Sequence, residues 1–599
     1  MNYKHLLIAI LAGAALVGCN KEAGKDEPTG IKSQYMAFHI AVPSVTKGTE
    51  GSPAAYSYGT DAENAIKSIY FFFYRDGAYI SYGKGEVATA FSPATQDAGG
   101  NVEEQWRKSD GKGVVVIENS MNTKPNQLLC IVNSPKPEFF RNKTLASALE
   151  ALQTGLTGVT GNESYTEIGF ARLESSTPYF CMTNSPVIVG GVAQYALPFT
   201  ESKIYYSAAE AEADPVEVNV ERMASKVEVK ALTAATDPTL TAAGWTITLN
   251  NWGLNGVSKQ SYVVKKIDAA WAAQTAIYGS WLVGPNRVNW AIDPDYASTD
   301  FSFNNKDFYP ESAEIYGQTG SDGITPIATS SRLLYYSKNQ IDAHAANTHT
   351  YDELRQTYCL ENTFNKEGQN DPRIVGTSVL VLATVVPTTT GVATDLYNYL
   401  GVMYTLDSYA AHLLTNVGIN HKFYVDNGMG GYRAINASDL EIRKAVKGAT
   451  FNVDGYYATT LGYSDGWVTL YPKPSVTLKT YDAVTDTYSD ADAADINEAF
   501  LHDIQGLANA YKGGAMWYTI PVEHLGSATD ASGKLEGNYG IVRNHYYQIN
   551  LGTIKSLGHG IYDPNEPIVP GDKTETWYLG AKINVNAWHV VVQNSNLEE

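Results

Sequence analysis

The sequence predicts a mainly β fold of two domains with a few short helices, on three observations. Only 18% of the residues are charged, while tyrosines number 41 and Val, Thr, Ile and Phe recur in short runs bounded by Gly, Asn, Asp and Pro. That composition favours strands and turns. Several runs alternate apolar and polar side chains with period two, the mark of a strand with one buried face. The length, 599 residues, accommodates two large domains or three smaller ones at ~100 to 250 residues each.

The elements follow in chain order. An apolar run from Leu6 to Val17 follows Lys4 and His5 and ends in Leu16-Val17-Gly18-Cys19. It is too short to cross a bilayer of ~30 Å, so residues 1–18 read as a lipoprotein signal peptide and Cys19 as the lipidated residue. Several acyl chains at ~0.8 kcal/mol per buried methylene would hold the chain on a membrane. Residues 20–34 are polar and read as a tether. In Tyr35 to Val42, Met36, Phe38, Ile40 and Val42 share one face, a half-buried strand. The segment Pro43 to Pro53 is small, polar and rich in breakers, the kind of loop proteases cut, and Lys47 is its one basic residue.

Further strands are expected at Ile66–Tyr74, Val114–Ile117 and Leu128–Val132. A helix is expected after the N-cap Thr144, with Leu145, Leu149 and Leu152 on one face and Gly155 at its end. Pro215 to Val229 alternates with a break in the middle, a bulge or a crossover. Thr233 to Pro238 reads as a linker. Beyond it come strands at Trp245–Asn250, Ser378–Val386, Trp467–Tyr471 and Trp517–Val522. A second helix is expected over Asp490–Tyr511, with Ile496, Phe500, Ile504 and Leu507 on one face and Gly513-Gly514 ending it. Pro564, Pro567 and Pro570 mark a loop. The segment Trp577 to Val592 alternates again, with Leu579, Ala581, Ile583, Val585 and Ala587 on one side.

The chemistry-bearing patterns exclude more than they support. None of the eleven histidines is followed by Glu and no Gly-Lys by Ser or Thr, so neither the zinc-protease helix nor the P-loop is present. Gly462-Tyr463-Ser464-Asp465-Gly466 matches G-x-S-x-G, but a strand follows where the nucleophile elbow needs a helix, so a hairpin turn is the reading. Asp490, Asp492 and Asp495 lack the Gly and Glu of a calcium loop. Paired carboxylates for sugar hydrolysis are set by the fold, not by spacing. Cys130, Cys181 and Cys359 have apolar neighbours and read as small buried hydrophobes. The net charge of −20, without a basic block, argues against binding nucleic acid or anionic lipid. The aromatic residues pack sheet faces or form sugar platforms, and Trp252 is the ring expected to be exposed.

Several segments together resemble the fimbrillins, the lipoprotein pilins of type V pili. They are the lipobox at Cys19, the strand before a basic cleavage point at Lys47, Glu63 to Tyr74, Val220 to Val227, Tyr358 to Thr363, Tyr539 to Tyr547 and Val585-Asn586-Ala587-Trp588. The long C-terminal part is most similar to the shaft subunit of the minor fimbriae. The resemblance implies two transthyretin-like β-sandwich domains, at 48–232 and 240–599, after a propeptide at 19–47. It implies a cut by a trypsin-like protease between Lys47 and Gly48, where the family commonly has Arg in place of Lys47. It further implies loss of the strand carrying Met36, Phe38, Ile40 and Val42, and polymerisation by strand exchange with anchor and tip pilins as partners. Leu579, Ala581, Ile583 and Val585, within about 577–592, would be the donor strand. From pattern alone that tail is equally the last strand of its own domain. No catalytic residue, metal or cofactor is expected. The alternative is a surface-exposed glycan-binding lipoprotein, and a hydrolase using Ser464 ranks third.

Overall fold

The computed structural model describes residues 34–41, 63, 66–85, 112–117, 123–134, 136–154, 171–174, 177–230, 232–258, 260–267, 282–283, 287–288, 291–294, 333–344, 358–363, 376–416, 423–444, 467–491, 508–524, 529–530, 533–534, 540–568, 579–586 and 591–592. Cys19, Val42, Lys47, Gly48 and Ser464 lie outside them. Within them the chain is mainly β, with several sheets and a few short helices.

The first sheet contains β1 (Gln34–Ala41), β2 (Ile69–Arg75), β3 (Ala78–Gly85), β4 (Lys112–Ile117), β5 (Gln127–Val132), β6 (Met182–Asn184) and β7 (Val216–Arg222). Their spatial order is β3-β2-β5-β6-β7-β1-β4, with Leu197–Pro198 paired beside β5. The run Ile69 to Tyr74 does not alternate because β2 is buried on both faces. Phe71 and Phe73 enter a core with Met36, Phe38, Ile40, Val115, Leu128 and Val218. Phe72 and Tyr74 enter a second one with Leu129, Ile131, Phe140 and Ala148. Asp76 and Gly77, both at positive φ, make the two-residue turn from β2 to β3.

The helix expected after Thr144 forms, and the Thr144 hydroxyl accepts from the Ser147 N–H at 3.2 Å, but it stops at Leu149. Leu152 is not on it. Leu152–Thr154 is a strand paired with Gln260–Tyr262, and that pairing, not the helical spacing, fixes its backbone.

The break inside Pro215 to Val229 is a crossover. β7 ends at Arg222, Met223 and Ala224 are buried, and β8 (Ser225–Val229) joins a different sheet. The segment read as a linker is built in as well: Ala235–Thr236 extends the same pairing and Asp237 caps the helix Pro238–Ala242. The chain therefore enters its second sheet upstream of residue 232.

Two sheets enclose the main C-terminal core. One places Tyr358–Cys359, β8, then Tyr546–Ile554, Leu579–Asn586 and Val591–Val592 side by side. The other runs through β9 (Trp245–Asn255), β10 (Ser378–Pro387), β11 (Ala515–Pro521) and His559–Gly560. Val227, Val229, Tyr547 and Ile549 from the first meet Leu254, Val379, Val381 and Ile520 from the second, the layering of a sandwich. The two strands that follow β8 in the first of these sheets are labelled β12 (Tyr546–Ile554) and β13 (Leu579–Asn586). A further core lies among Leu396–Tyr399, the helix Leu406–Asn416, Phe423–Asp426, Trp467–Pro472 and Ala508–Tyr511.

The helix expected over Asp490–Tyr511 is corrected at both described ends. Asp490 lies on the strand Thr487–Ala491, and Ala508–Tyr511 is a strand hydrogen-bonded on both sides. All four residues of the latter are buried, so sheet pairing overrides the helical spacing. Gly513 and Gly514, at φ 58° and 74°, turn this strand into β11 rather than capping a helix. A Cβ at Gly514 would lie 2.2 Å from the Val385 carbonyl oxygen.

The end strands of the first sheet approach each other. A Cβ at Gly83 of β3 would meet Val115 Cγ2 of β4 at 2.0 Å and the Val116 carbonyl oxygen at 3.0 Å. Gly83→Ala should therefore destabilise the fold by about 1–3 kcal/mol. In a urea-denaturation double-mutant cycle, Gly83→Ala combined with Val115→Ala should cost clearly less than the two single changes summed.

Candidate functional site

The expected removable strand is an interior strand. β1 runs parallel to β7, with Phe38 opposite Val216 and Ile40 opposite Val218. On its other side it is antiparallel to β4, with Met36 opposite Val115 and Phe38 opposite Gly113. Met36, Phe38 and Ile40 are all buried, and the Phe38 ring centroid is 4.6 Å from that of Phe71. The start of the strand is pinned by paired backbone bonds between Tyr35 and Tyr205, at 2.8 and 2.9 Å. Burying three such side chains stabilises by roughly 5–9 kcal/mol as an upper estimate. Taking β1 away would open a groove with an unpaired ladder on each side, from β7 and from β4.

The expected donor strand is β13. It lies in the sheet of its own C-terminal part, antiparallel to β12, with Ala581 opposite Leu551, Ile583 opposite Ile549 and Val585 opposite Tyr547. The register slips between Leu551 and Ile554, after which Leu579 faces Ile554. Leu579, Ala581, Ile583 and Val585 share one face of the strand by alternation. Beyond Asn586 the chain returns as Val591–Val592 along its outer edge.

Four segments singled out in the sequence meet between these two strands as a buried polar junction. Arg222 is buried; its Nε donates to the Glu63 carbonyl at 2.9 Å and its guanidinium to Asn544 Oδ1 at 3.2 Å. Lys226 Nζ is 2.7 Å from the Glu63 carboxylate, which also accepts from the Tyr358 hydroxyl. Burial pulls the Arg222 guanidinium down to about 10, against the opposing pull of Glu63, so it stays charged at neutral pH. A second pair lies beside it. Arg543 and Glu361 are fully buried; Nε donates to Glu361 at 2.6 Å, and other guanidinium N–H groups reach Ser261 Oγ at 2.8 Å and the Val263 carbonyl at 3.0 Å. Glu221 accepts from Ser185 Oγ at 2.7 Å and faces Lys265 at 3.1 Å. Spacing could not reveal these pairings, because Arg543 and Glu361 are 182 positions apart. The available signal was a charge set inside apolar, alternating sequence.

Other expectations resolve as follows. Trp252 is not an exposed ring: it lies on β9 opposite Val381 and is partly buried against the main core. Cys130, Cys181 and Cys359 are buried thiols in three different cores. Among the described residues no group of three His, Cys, Asp or Glu side chains could hold a metal ion, and no helix is long and apolar enough to cross a membrane.

Residues 509–594 match the family described as major fimbrial subunit protein type IV, fimbrillin, C-terminal. No curated protein matches the chain. Among solved structures, a fimbrilin from Porphyromonas gingivalis shares 13% identity over 93% of this chain and 98% of that one, with a TM-score of 0.36. A putative cell adhesion protein from Parabacteroides distasonis shares 10% over 94% and 98%, with a TM-score of 0.35. The tip fimbrial protein of Porphyromonas gingivalis, truncated at its C-terminus, shares 9% over 93% and 100%, with a TM-score of 0.27. These scores are too low to carry weight, so the likeness to the fimbrillins rests on 509–594.

Two measurements check the buried polar groups, one at the junction and one on the histidines. Arg543→Met should cost about 3–5 kcal/mol in denaturant unfolding by leaving Glu361 buried and unpaired, and adding Glu361→Met should recover most of it. Burial holds His545 and His559 down at about 4, below the ordinary 6.5. The unfolded chain thus binds more protons than the folded one between these values. Their stabilisation is full above pH ~6.5 and falls with pH toward 4, by up to ~1.4 kcal/mol per unit for each ring. His559→Asn should flatten the slope of stability against pH in that window.

Proposed function

We propose that this chain, whose residues 509–594 match the fimbrillin C-terminal family, is a structural pilin subunit that builds the shaft of a cell-surface fimbria by protease-triggered donor-strand exchange. On this reading it is not an enzyme; it supports adhesion, biofilm formation and virulence, and works with anchor and tip pilins. The precursor is exported, lipidated at Cys19 and held at the outer membrane. A trypsin-like protease then cuts between Lys47 and Gly48, and the mature form, two transthyretin-like domains beginning at Gly48, enters the extracellular fibre. It uses no cofactor or metal and binds no nucleic acid.

The observation that carries the reading is the position of β1. A strand near the start of the chain fills an interior position of a sheet, between β7 and the end strand β4, with Met36, Phe38 and Ile40 in the core. The protease-prone sequence Pro43 to Pro53 follows it. While covalently attached, such a strand returns to its groove far faster than a strand from another molecule can compete. Once cut it can leave, and the exposed apolar pockets and two open ladders form a template for a strand from the next subunit.

The alternation of Leu579, Ala581, Ile583 and Val585 matches that of Met36, Phe38 and Ile40, so β13 suits the vacated pockets in one register. To donate, β13 must leave β12. Its partner strand keeps β8 on the other side, so the C-terminal sheet retains a paired centre when the tail departs.

Brief trypsin treatment of residues 20–599 should give a new N-terminus at Gly48 followed by filaments in negative-stain images, and Lys47→Gln should give neither. Ile583→Asp with Val585→Asp should be cut normally yet stay monomeric by light scattering. Long polymers from that double variant would remove the donor assignment, and clean cutting with a stable wild-type monomer would remove the pilin reading.

A further inference from the structure

Tyr432–Ala434, Phe423–Asp426, Leu478–Asp482 and Thr487–Ala491 form a four-stranded sheet in that order. Phe423, Val425 and Leu478 turn inward to the core beside the helix Leu406–Asn416. By alternation the opposite face carries Tyr424, Tyr432, Tyr481 and Tyr488. Their rings touch: Tyr432 to Tyr488 at 4.4 Å, Tyr481 to Tyr488 at 4.9 Å and Tyr424 to Tyr488 at 5.2 Å between centroids. Tyr432, Tyr481 and Tyr488 are nonetheless 37–39% exposed. Since the other face already supplies the core, packing does not require four rings on this one.

The surroundings select the occupant. Asp426 and Asp490 share this face with Lys479 by alternation, and Asp486, in the turn between the last two strands, accepts from the Tyr481 hydroxyl at 2.8 Å, which leaves two negative charges. Lys479 also shows how a cation sits here. Its Nζ is paired with Asp490 and lies 5.9 Å from the Tyr432 ring centroid. Arg433, on the strand of Tyr432, is held bidentately by Asp439. Aromatic faces and carboxylates both attract cations. The rings are tilted against one another by 35° to 82°, a herringbone rather than the flat platform on which a pyranose stacks.

We propose that this tyrosine face is a docking surface for an extended, arginine- or lysine-rich polypeptide. The guanidinium or ammonium groups lie on the rings and the aspartates balance their charge. The surface belongs to a different core from the β1 groove, so it is present before and after any strand exchange.

The test is fluorescence anisotropy with a labelled hexa-arginine peptide and the full chain at low and physiological salt. Tyr432→Ser with Tyr488→Ser should weaken binding about tenfold, the size of two exposed cation–π contacts. Asp426→Asn with Asp486→Asn keeps the rings and should weaken it similarly. Glu138→Gln with Glu150→Gln removes the same charge elsewhere and should leave it unchanged. Equal weakening by both charge-removing pairs would overturn the proposal, since the peptide would then read only net charge. So would unaltered binding by the tyrosine variant. Capture of the chain by immobilised neutral glycans, lost in the tyrosine variant while hexa-arginine binding persists, would make the face a sugar platform instead.

Discussion

The structure depends on one crossing, Arg222 to Lys226, where the chain leaves the first sheet and enters the second. Both ends of this short segment carry buried or half-buried cations, tied to Glu63 and Asn544, and Arg543 with Glu361 lies next to them in the chain or in space. Burying an ion pair gains little over well-packed apolar residues, because desolvation offsets the attraction. Leaving one partner behind is costly. Such a cluster therefore tolerates one arrangement of Glu63, Arg222, Tyr358 and Asn544 and penalises slips of either sheet. The apolar cores on each side stabilise the fold, whereas the crossing sets which strands each sheet receives.

The same sheets explain why β1 can be both necessary and removable on the proposed reading. An edge strand would be easy to lose but would leave no groove. An interior strand leaves two ladders, yet its departure would isolate β4, which among the described residues pairs only with β1. Gly83 of β3 lies close against Val115 of β4 from the far side. On the proposed reading, that contact would help β4 to remain as a wall of the groove once β1 has gone.

Legibility varied with how local the determining forces were. β1 and β5 could be placed to within a residue or two because one alternating face, or a short apolar run between turn residues, marks them. The Thr144 cap was readable because capping is a contact over three residues. Leu152 and Ala508–Tyr511 were misread as helical because their conformation comes from pairing with strands far away in sequence. The junction was half legible. Its segments stood out, but which carboxylate meets which arginine is decided by topology. Trp252 misleads for a related reason: beside Gly253 and Asn255 it suggests an exposed ring, but as part of the eleven-residue strand Trp245–Asn255 it lies against a core.

These elements form a continuous mechanical path through the subunit. A strand inserted in the groove would hydrogen-bond to β7, as β1 does. β7 continues covalently through Met223 and Ala224 into β8, and β8 pairs in parallel with β12 from Lys226 opposite Tyr546 to Val229 opposite Ile549. β12 leads onward to the C-terminal tail. Tension entering at the groove would thus reach the tail through one covalent crossing and one parallel ladder, loaded along the strands so that its hydrogen bonds share the force. Arg222, Lys226 and Asn544 sit at the crossing itself. Their buried pairs add little net stability, but displacing any one of them exposes an unmatched charge to an apolar interior. A joint of that kind resists small displacements steeply, a property a fibre subunit needs at the point where its two sheet systems are connected.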